Sequence, residues 1–505
     1  MQNLPTEILR MIGKFIALDI DEDCENIRRS TLLALTRCCR KFHRIFEPLL
    51  YYHLDLGYAH SITGAHIHLI IRFWRYPGVA DWVRSLRLYW DSNEPIPIYE
   101  ASHEDIERFV FLADLALNKI FTPIEQFQGK WKDALYGFKT EAWKGLLFAS
   151  LTHLERIEFD QGNSPLFTNL LYKAAKREQP FHEAPPFPFL REVIAYCRDE
   201  GDGVDEHFLT PFLYFPSVQS ITGYAICADD SSDEEEVDSG THEFRLSAGP
   251  VKQISLDDVW GCTGMLKWLK VCKELEHFSI EASLRPDLED IEKLLDTRKL
   301  YQALLPFKDT LKSLSVTYDK KYSTCLYMDG GIRVCEDNIP FESFREFSAL
   351  EHLTVRHAHL VSIFSHAAVK KPSIGRLVDR LPSSLQTLSV HDVLPDNSGL
   401  LAELLMVAQD RSLFPDLKSL ELRDNPLDSP VSDDETIPDG TTVGGAAAGL
   451  NMALLEEEAD REYADTERLR RECEARGIDM QWFMEGMSDS EDESEDESEV
   501  HNKGH

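Results

Sequence analysis

Apolar residues recur along the chain with a spacing that repeats. Nine segments carry them at their first, fourth and sixth places: "LERIEF" (Leu154–Phe159), "LREVIAY" (Leu190–Tyr196), "VQSITGY" (Val218–Tyr224), "VKQISLD" (Val251–Asp257), "LEHFSIE" (Leu275–Glu281), "LKSLSVT" (Leu311–Thr317), "LEHLTVR" (Leu350–Arg356), "LQTLSVH" (Leu385–His391) and "LKSLELR" (Leu417–Arg423). Gly223 is the one exception, at the sixth place of the third copy. Side chains alternate across a strand, so the fourth and sixth places share a face. The pattern predicts nine short strands with one apolar face each, beginning 24 to 39 residues apart. A tenth strand-like segment, "VRSLRLYW" (Val83–Trp90), stands apart from them.

The first 150 residues follow the helical period instead. In "LPTEILRMI" (Leu4–Ile12), Pro5 suits the first helical position and Glu7 the first turn. Ile8, Leu9, Ile12 and Ile16 are expected on one face of a short amphipathic helix. An acidic interruption (Ala17–Ser30) follows, and then apolar residues at Leu32, Leu35, Cys39, Phe42, Ile45, Phe46 and Leu49. With Arg37, Arg40, Lys41 and Arg44 among them, these predict two short basic helices closing a small bundle, ended or bent at Pro48. Helices are also expected over His103–Phe121 and Lys130–Leu151.

Charge changes this picture at two places. The 505 residues hold 53 Lys plus Arg against 88 Asp plus Glu, a net charge of −35. Such a chain repels phosphate backbones, which argues against nucleic acid as a partner. Fifteen of the acids sit in two runs, Asp229–Asp238 and Ser488–Glu499, which have almost no apolar residues and are expected to be disordered. Ser231, Ser232, Ser488, Ser490, Ser494 and Ser498 have acids close downstream and are candidate sites for an acidophilic kinase; a purely solubilising role fits the runs equally well. No apolar run approaches the roughly 18 residues that span a bilayer, so no membrane association is expected. The ten cysteines form no C-x-x-C pair, which fits reduced thiols in cytoplasm or nucleus.

The expected fold class is α/β. Residues 1–55 form a small helical unit and 56–150 a helical connector carrying the first strand-like repeat. The repeat array covers 151–428, with an acidic excursion at 228–240. A linker (429–450), a C-terminal helix (451–485) and an acidic tail (486–505) complete the chain.

Two resemblances attach to these units. "LPTEILRMI" followed by "LLALTRCCRKFHRIFEPLLYYHLDL" (Leu32–Leu56) resembles the F-box, particularly its fungal form; Phe42 stands where many members have Trp. "LKSLELRDNPL" (Leu417–Leu427) is a complete L-x-x-L-x-L-x-x-N-x-L, and "LEHLTVRHAHL" (Leu350–Leu360) matches it except at Ala358, so the array resembles leucine-rich repeats. That family implies a solenoid in which each unit lays one parallel strand beside the next and stacking buries the apolar face. The F-box resemblance implies docking on the Skp-type adaptor of a cullin-RING ubiquitin ligase, through Leu4, Pro5, Ile8, Leu9, Ile12, Leu35, Cys39 and Phe42. The repeats would then hold an unknown protein substrate. An interaction scaffold with no ubiquitin transfer, or an acidic chaperone for basic proteins, stays open beside this reading.

The places between the apolar ones should line the concave strand face. Those expected to meet substrate are His277, Ser279, Glu281, Ser315, Thr317, His352, Thr354, Arg356, Ser389, His391, Glu421 and Arg423. His352 and His357 differ by an odd number and should point to opposite sides of a strand, so no metal site is expected there. No Gly-rich phosphate loop, G-x-S-x-G or H-E-x-x-H occurs, and neither catalysis nor a cofactor is expected of this chain.

Overall fold

The computed structural model describes residues 4–18, 25–56, 65–89, 103–120, 128–137, 139–160, 164–197, 203–227, 249–261, 263–283, 295–319, 339–361, 375–393, 398–424 and 463–483. The candidate phosphorylation serines and the expected linker lie outside them. The chain divides into two compact units, Met1–Leu295 with Ala303–Phe307, and Asp296–Gln302 with Lys308–His505. Both are mixed α/β, and the division falls within the repeat array rather than in front of it.

The first unit opens with three helices, α1 (Thr6–Leu18), α2 (Glu25–Cys38) and α3 (Arg40–Leu50). Leu9, Ala17, Leu32, Phe42, Ile45 and Phe46 form their core, with Leu4, Ile16, Leu35, Cys39, Leu49 and Leu50 packed around it. Cys39 breaks α2 from α3: its backbone is extended and its Sγ accepts from the Phe42 N–H at 3.5 Å, capping α3. Lys41 Nζ ties the start of the chain down, donating to the Leu4 carbonyl at 2.9 Å.

Eight strands follow among the described residues of this unit: β1 (His53–Leu56), β2 (Ser85–Tyr89), β3 (Arg156–Asp160), β4 (Glu192–Tyr196), β5 (Val204–Asp205), β6 (Ser220–Cys227), β7 (Gln253–Trp260) and β8 (His277–Ala282). They pair in parallel and in the order β1-β2-β3-β4-β6-β7-β8, with short β5 beside the end of β6. The repeat strands pair in register by repeat place, as in Ile157 against Val193 and Ile221 against Ile254, and between β7 and β8 the register shifts after Leu256. The carbonyl at the second place accepts twice from the next strand, as Arg84 does from Glu155 and Arg156, and Lys252 from Glu276 and His277. Apolar places turn inward to an aromatic core in which Phe159, Phe167, Phe208, Phe212 and Phe215 meet.

The second unit holds β9 (Ser313–Tyr318), β10 (His352–Arg356), β11 (Thr387–Val393), β12 (Ser419–Asp424) and β13 (Asp479–Phe483), again parallel and in chain order. Its core groups Tyr301, Phe341, Phe344 and Phe347 behind the strands. Arg380 is buried there and donates to the carbonyls of Glu342, Leu360 and Phe341, so that a loop with few backbone partners is satisfied by one guanidinium.

All nine repeat segments and the one at Val83 are strands at the expected places. The expected C-terminal helix is in part a strand: residues 463–475 are helical, but β13 then pairs with β12, Asp479 beside Ser419, and Trp482 Nε1 donates to Asp424 at 2.6 Å. Strand β1 was hidden in the apolar end of the helical unit. The expected helix over Lys130–Leu151 is two, Gln128–Tyr136 and Thr140–Ser150. The eighth place of three copies, Ala225, Asp258 and Asp392, has left-handed backbone (φ 54°, 57° and 51°), which turns the chain off the strand.

Candidate functional site

Two surfaces are candidates for contact with a partner, one an exposed apolar strip and the other the polar face of the strands. The first is on α1. Leu9, Gly13 and Ala17 face the three-helix core, and a neighbouring stripe of the same helix faces outward: Ile8, Met11, Ile12 and Phe15, which are 41%, 66%, 37% and 77% exposed. Large apolar side chains exposed at i, i+3, i+4 and i+7 form a continuous strip, unlike scattered surface leucines. Ile27 and Leu33 of α2 are exposed as well.

The eight expected adaptor contacts therefore separate. Pro5, Ile8 and Ile12 face outward; Leu4, Leu35 and Cys39 are half-buried against the core; Leu9 and Phe42 are inside it, at 1% and 4% exposure. Leu9 and Phe42 hold the helices together and cannot present themselves to a partner without opening the bundle. Met11 and Phe15 belong to the outward strip and were missed, although their spacing from Ile8 is visible in the sequence.

The second surface is the polar face of the strands. In the first unit it is charged and internally tied. Arg87 on β2 donates through Nε to Tyr196 Oη at 2.7 Å and pairs with Glu158 Oε1 at 3.1 Å, while Tyr196 donates to that same carboxylate at 3.1 Å. The guanidinium lies over the rings of Tyr89 and Tyr196, 5.0 and 5.5 Å from their centres. Burial, followed by the hydrogen bond with Tyr89, pushes the Tyr196 phenol upward. Arg156 bridges Glu158 and Glu192 at 3.5 and 3.2 Å. At the edge, His53 shares a hydrogen bond of 2.9 Å with Ser85 Oγ, and burial, aided by nearby arginines, lowers its pKa to about 4.

In the second unit the face is rich in hydroxyls. Ser313, His352, Thr387 and Ser419 align across four strands, as do Ser315, Thr354, Ser389 and Glu421. Of the expected substrate contacts, His352 and Arg423 are exposed, and Arg423 lies 5.1 Å from the centre of the Phe483 ring. His277, Ser279, Glu281, Ser315, Thr317, Thr354, His391 and Glu421 are half-buried. Ser389 and Arg356 are corrections, since both are buried. The chain leaves β10 directly into the helical turn His357–Leu360, which folds Arg356 inward instead of along the strand face. His357 and His359 are buried in that turn, away from exposed His352. Burial, then Arg356, lowers the His357 pKa to about 4; burial, then Arg423, does the same for His391. A neutral imidazole at His357 avoids placing a further cation beside the buried Arg356 guanidinium.

Among the described residues no group of three His, Cys, Asp or Glu is placed to hold a metal ion. No described helix is long and apolar enough to cross a membrane. No protein-family model matches the sequence, and no curated protein matches it.

Proposed function

We propose that this chain is a substrate-receptor subunit of a cullin-RING ubiquitin ligase: an F-box of three helices that docks on a Skp-type adaptor, joined to leucine-rich repeats that hold a substrate protein. The observation that carries the reading is the strip Ile8, Met11, Ile12 and Phe15, apolar, outward and on the helix with the F-box-like sequence. Burying four such side chains on a partner removes several hundred Å² of apolar surface from water, on the order of 25 cal/mol per Å² before the costs of association. The parallel, in-register strands supply the repeating polar face that a solenoid receptor uses. The chain would contribute proximity, holding substrate near a ubiquitin-loaded enzyme at high effective concentration.

The test is capture of a Skp-type adaptor and a cullin by the full-length protein, compared with Ile8→Asp/Ile12→Asp. Recovery of both by wild type and of neither by the folded variant supports the reading. Recovery of the adaptor without a cullin turns it to a scaffold, and recovery of neither by wild type removes it.

A further inference from the structure

The described strands hold four arginines and no lysine: Arg87, Arg156, Arg356 and Arg423. Three of them are matched to carboxylates. Arg87 pairs with Glu158 at 3.1 Å, Arg156 with Glu158 and Glu192 at 3.5 and 3.2 Å, and Arg356 with Asp392.

Arg423 on β12 is the exception. It is exposed, and among the described residues no carboxylate pairs with it. Asp424 accepts from Trp482 Nε1, and Glu421, two places back on the same face, makes no bridge to Arg423. The guanidinium lies instead 5.1 Å from the centre of the Phe483 ring, which is in register with it on β13 and is itself 44% exposed. A ring orients a planar cation but accepts none of its in-plane N–H groups.

The chain runs on from Phe483 through residues 484–505, which lie outside the described residues. Eight acids fall within Ser488–Glu499. The first of them, Asp489, is six residues beyond Phe483, a reach of up to about 20 Å. Arg423 is only one strand away, about 4.8 Å in the hydrogen-bonding direction. Gly486 lies between, where a return toward β12 needs the chain to reverse. On so short a link even a weak contact is occupied, because the effective concentration reaches the millimolar range.

We infer that the acidic run Ser488–Glu499 folds back over β13 and seats carboxylates on Arg423 beside the Phe483 ring. The run is the acid that this arginine lacks among its strand neighbours, and the chain's own tail thereby occupies part of the second unit's strand face. If that face is the substrate side of the proposed receptor, the tail competes with substrate for Arg423; this consequence rests on the ligase reading, whereas the contact does not. Phosphorylation at Ser490 or Ser494 would tighten the contact by adding about −1.5 to −2 charge at each site.

The experiment is carbodiimide cross-linking of the full-length protein carrying Arg423→Lys, which keeps the positive charge and supplies an amine that can be joined to a carboxylate. The variant is first shown to keep the wild-type thermal midpoint within a few degrees. Cross-links are mapped by mass spectrometry on a mixture of isotopically light and heavy protein. Exposed Lys418, at the opposite end of β12, is the reference. At about 0.05 M salt, links from position 423 to the acids of 488–499 should exceed those from Lys418 roughly tenfold and should fall severalfold at about 0.5 M. They should join segments of one isotopic kind. No link at position 423, equal yields there and at Lys418, links between light and heavy chains, or yields that salt leaves unchanged would overturn the inference. Adaptor capture is measured on the same protein before cross-linking. Links without capture count against the ligase reading alone, and capture without links counts against this inference alone.

Discussion

Arg356 on β10 donates its Nε–H to the Asp392 carboxylate on β11, from a position with no solvent exposure. Its guanidinium lies 4.2 Å from the centre of the Tyr318 ring on β9. Tyr318 and Asp392 both occupy the eighth place of their repeats, so Arg356 is clasped by its two neighbouring strands. A charge this deeply buried is stable only while its partner remains. Asp392→Asn should therefore cost about 3–5 kcal/mol of unfolding free energy, since it strands the cation. Arg356→Met in the same background should recover much of that loss. A double-mutant cycle by chemical denaturation measures the coupling; additive effects of the two substitutions would show that the pair does not act as one.

The two sides of α1 should respond differently to substitution. Leu9→Ala opens a cavity in the three-helix core and should cost about 2–5 kcal/mol. Ile12→Ala, on the outward strip, should stay within about 1 kcal/mol and yet weaken adaptor capture. Denaturation and capture on the same pair of variants separate core from contact, and an equal stability loss at both positions would contradict the assignment.

Acid should loosen the second unit before its carboxylates titrate. The folded-state pKa of His357, about 4, lies below the ordinary 6.5. Between those values the unfolded chain takes up a proton that the folded chain refuses, so this contribution is full above pH 6.5 and is lost as the pH falls toward 4. Its size is up to about 3 kcal/mol. His357→Gln should flatten the fall of the melting temperature across that window, whatever it does to stability at neutral pH. An unchanged slope would place the pH dependence elsewhere.

Gly249 is held by contact rather than by backbone freedom. A Cβ there would lie 2.2 Å from the Phe215 carbonyl oxygen, and its N–H already donates to Leu213 at 2.6 Å. Gly249→Ala should destabilise by roughly 1–3 kcal/mol. Gly78→Ala, where a Cβ would meet nothing within 4 Å, should be neutral or mildly stabilising. Thermal melts of the two variants test the contrast.

Much of the architecture was legible because strand alternation is a local property. Leu154, Ile157 and Phe159, or Leu385, Leu388 and Val390, declare an inward face whatever surrounds them, and all are buried. Strands β1 and β13 were not legible in the same way. "HLDL" reads as the end of a helical unit, and "DMQWF" follows a run of helix formers; each becomes a strand because the edge of β2 or β12 offers it unpaired backbone groups.

The sequence by itself determined the repeat, the register that follows from it, the acidic character and the helical opening. Tertiary structure decided which of two apolar stripes on α1 is covered, since Leu9 and Ile8 are equally apolar and only the position of α2 and α3 tells them apart. It also decided that Arg356, at an outward place of its strand, turns inward. Alternation fixes a side chain's side only while the strand continues, and β10 ends at Arg356, where Tyr318 and Asp392 from the adjacent strands supply a ring and a carboxylate to receive it.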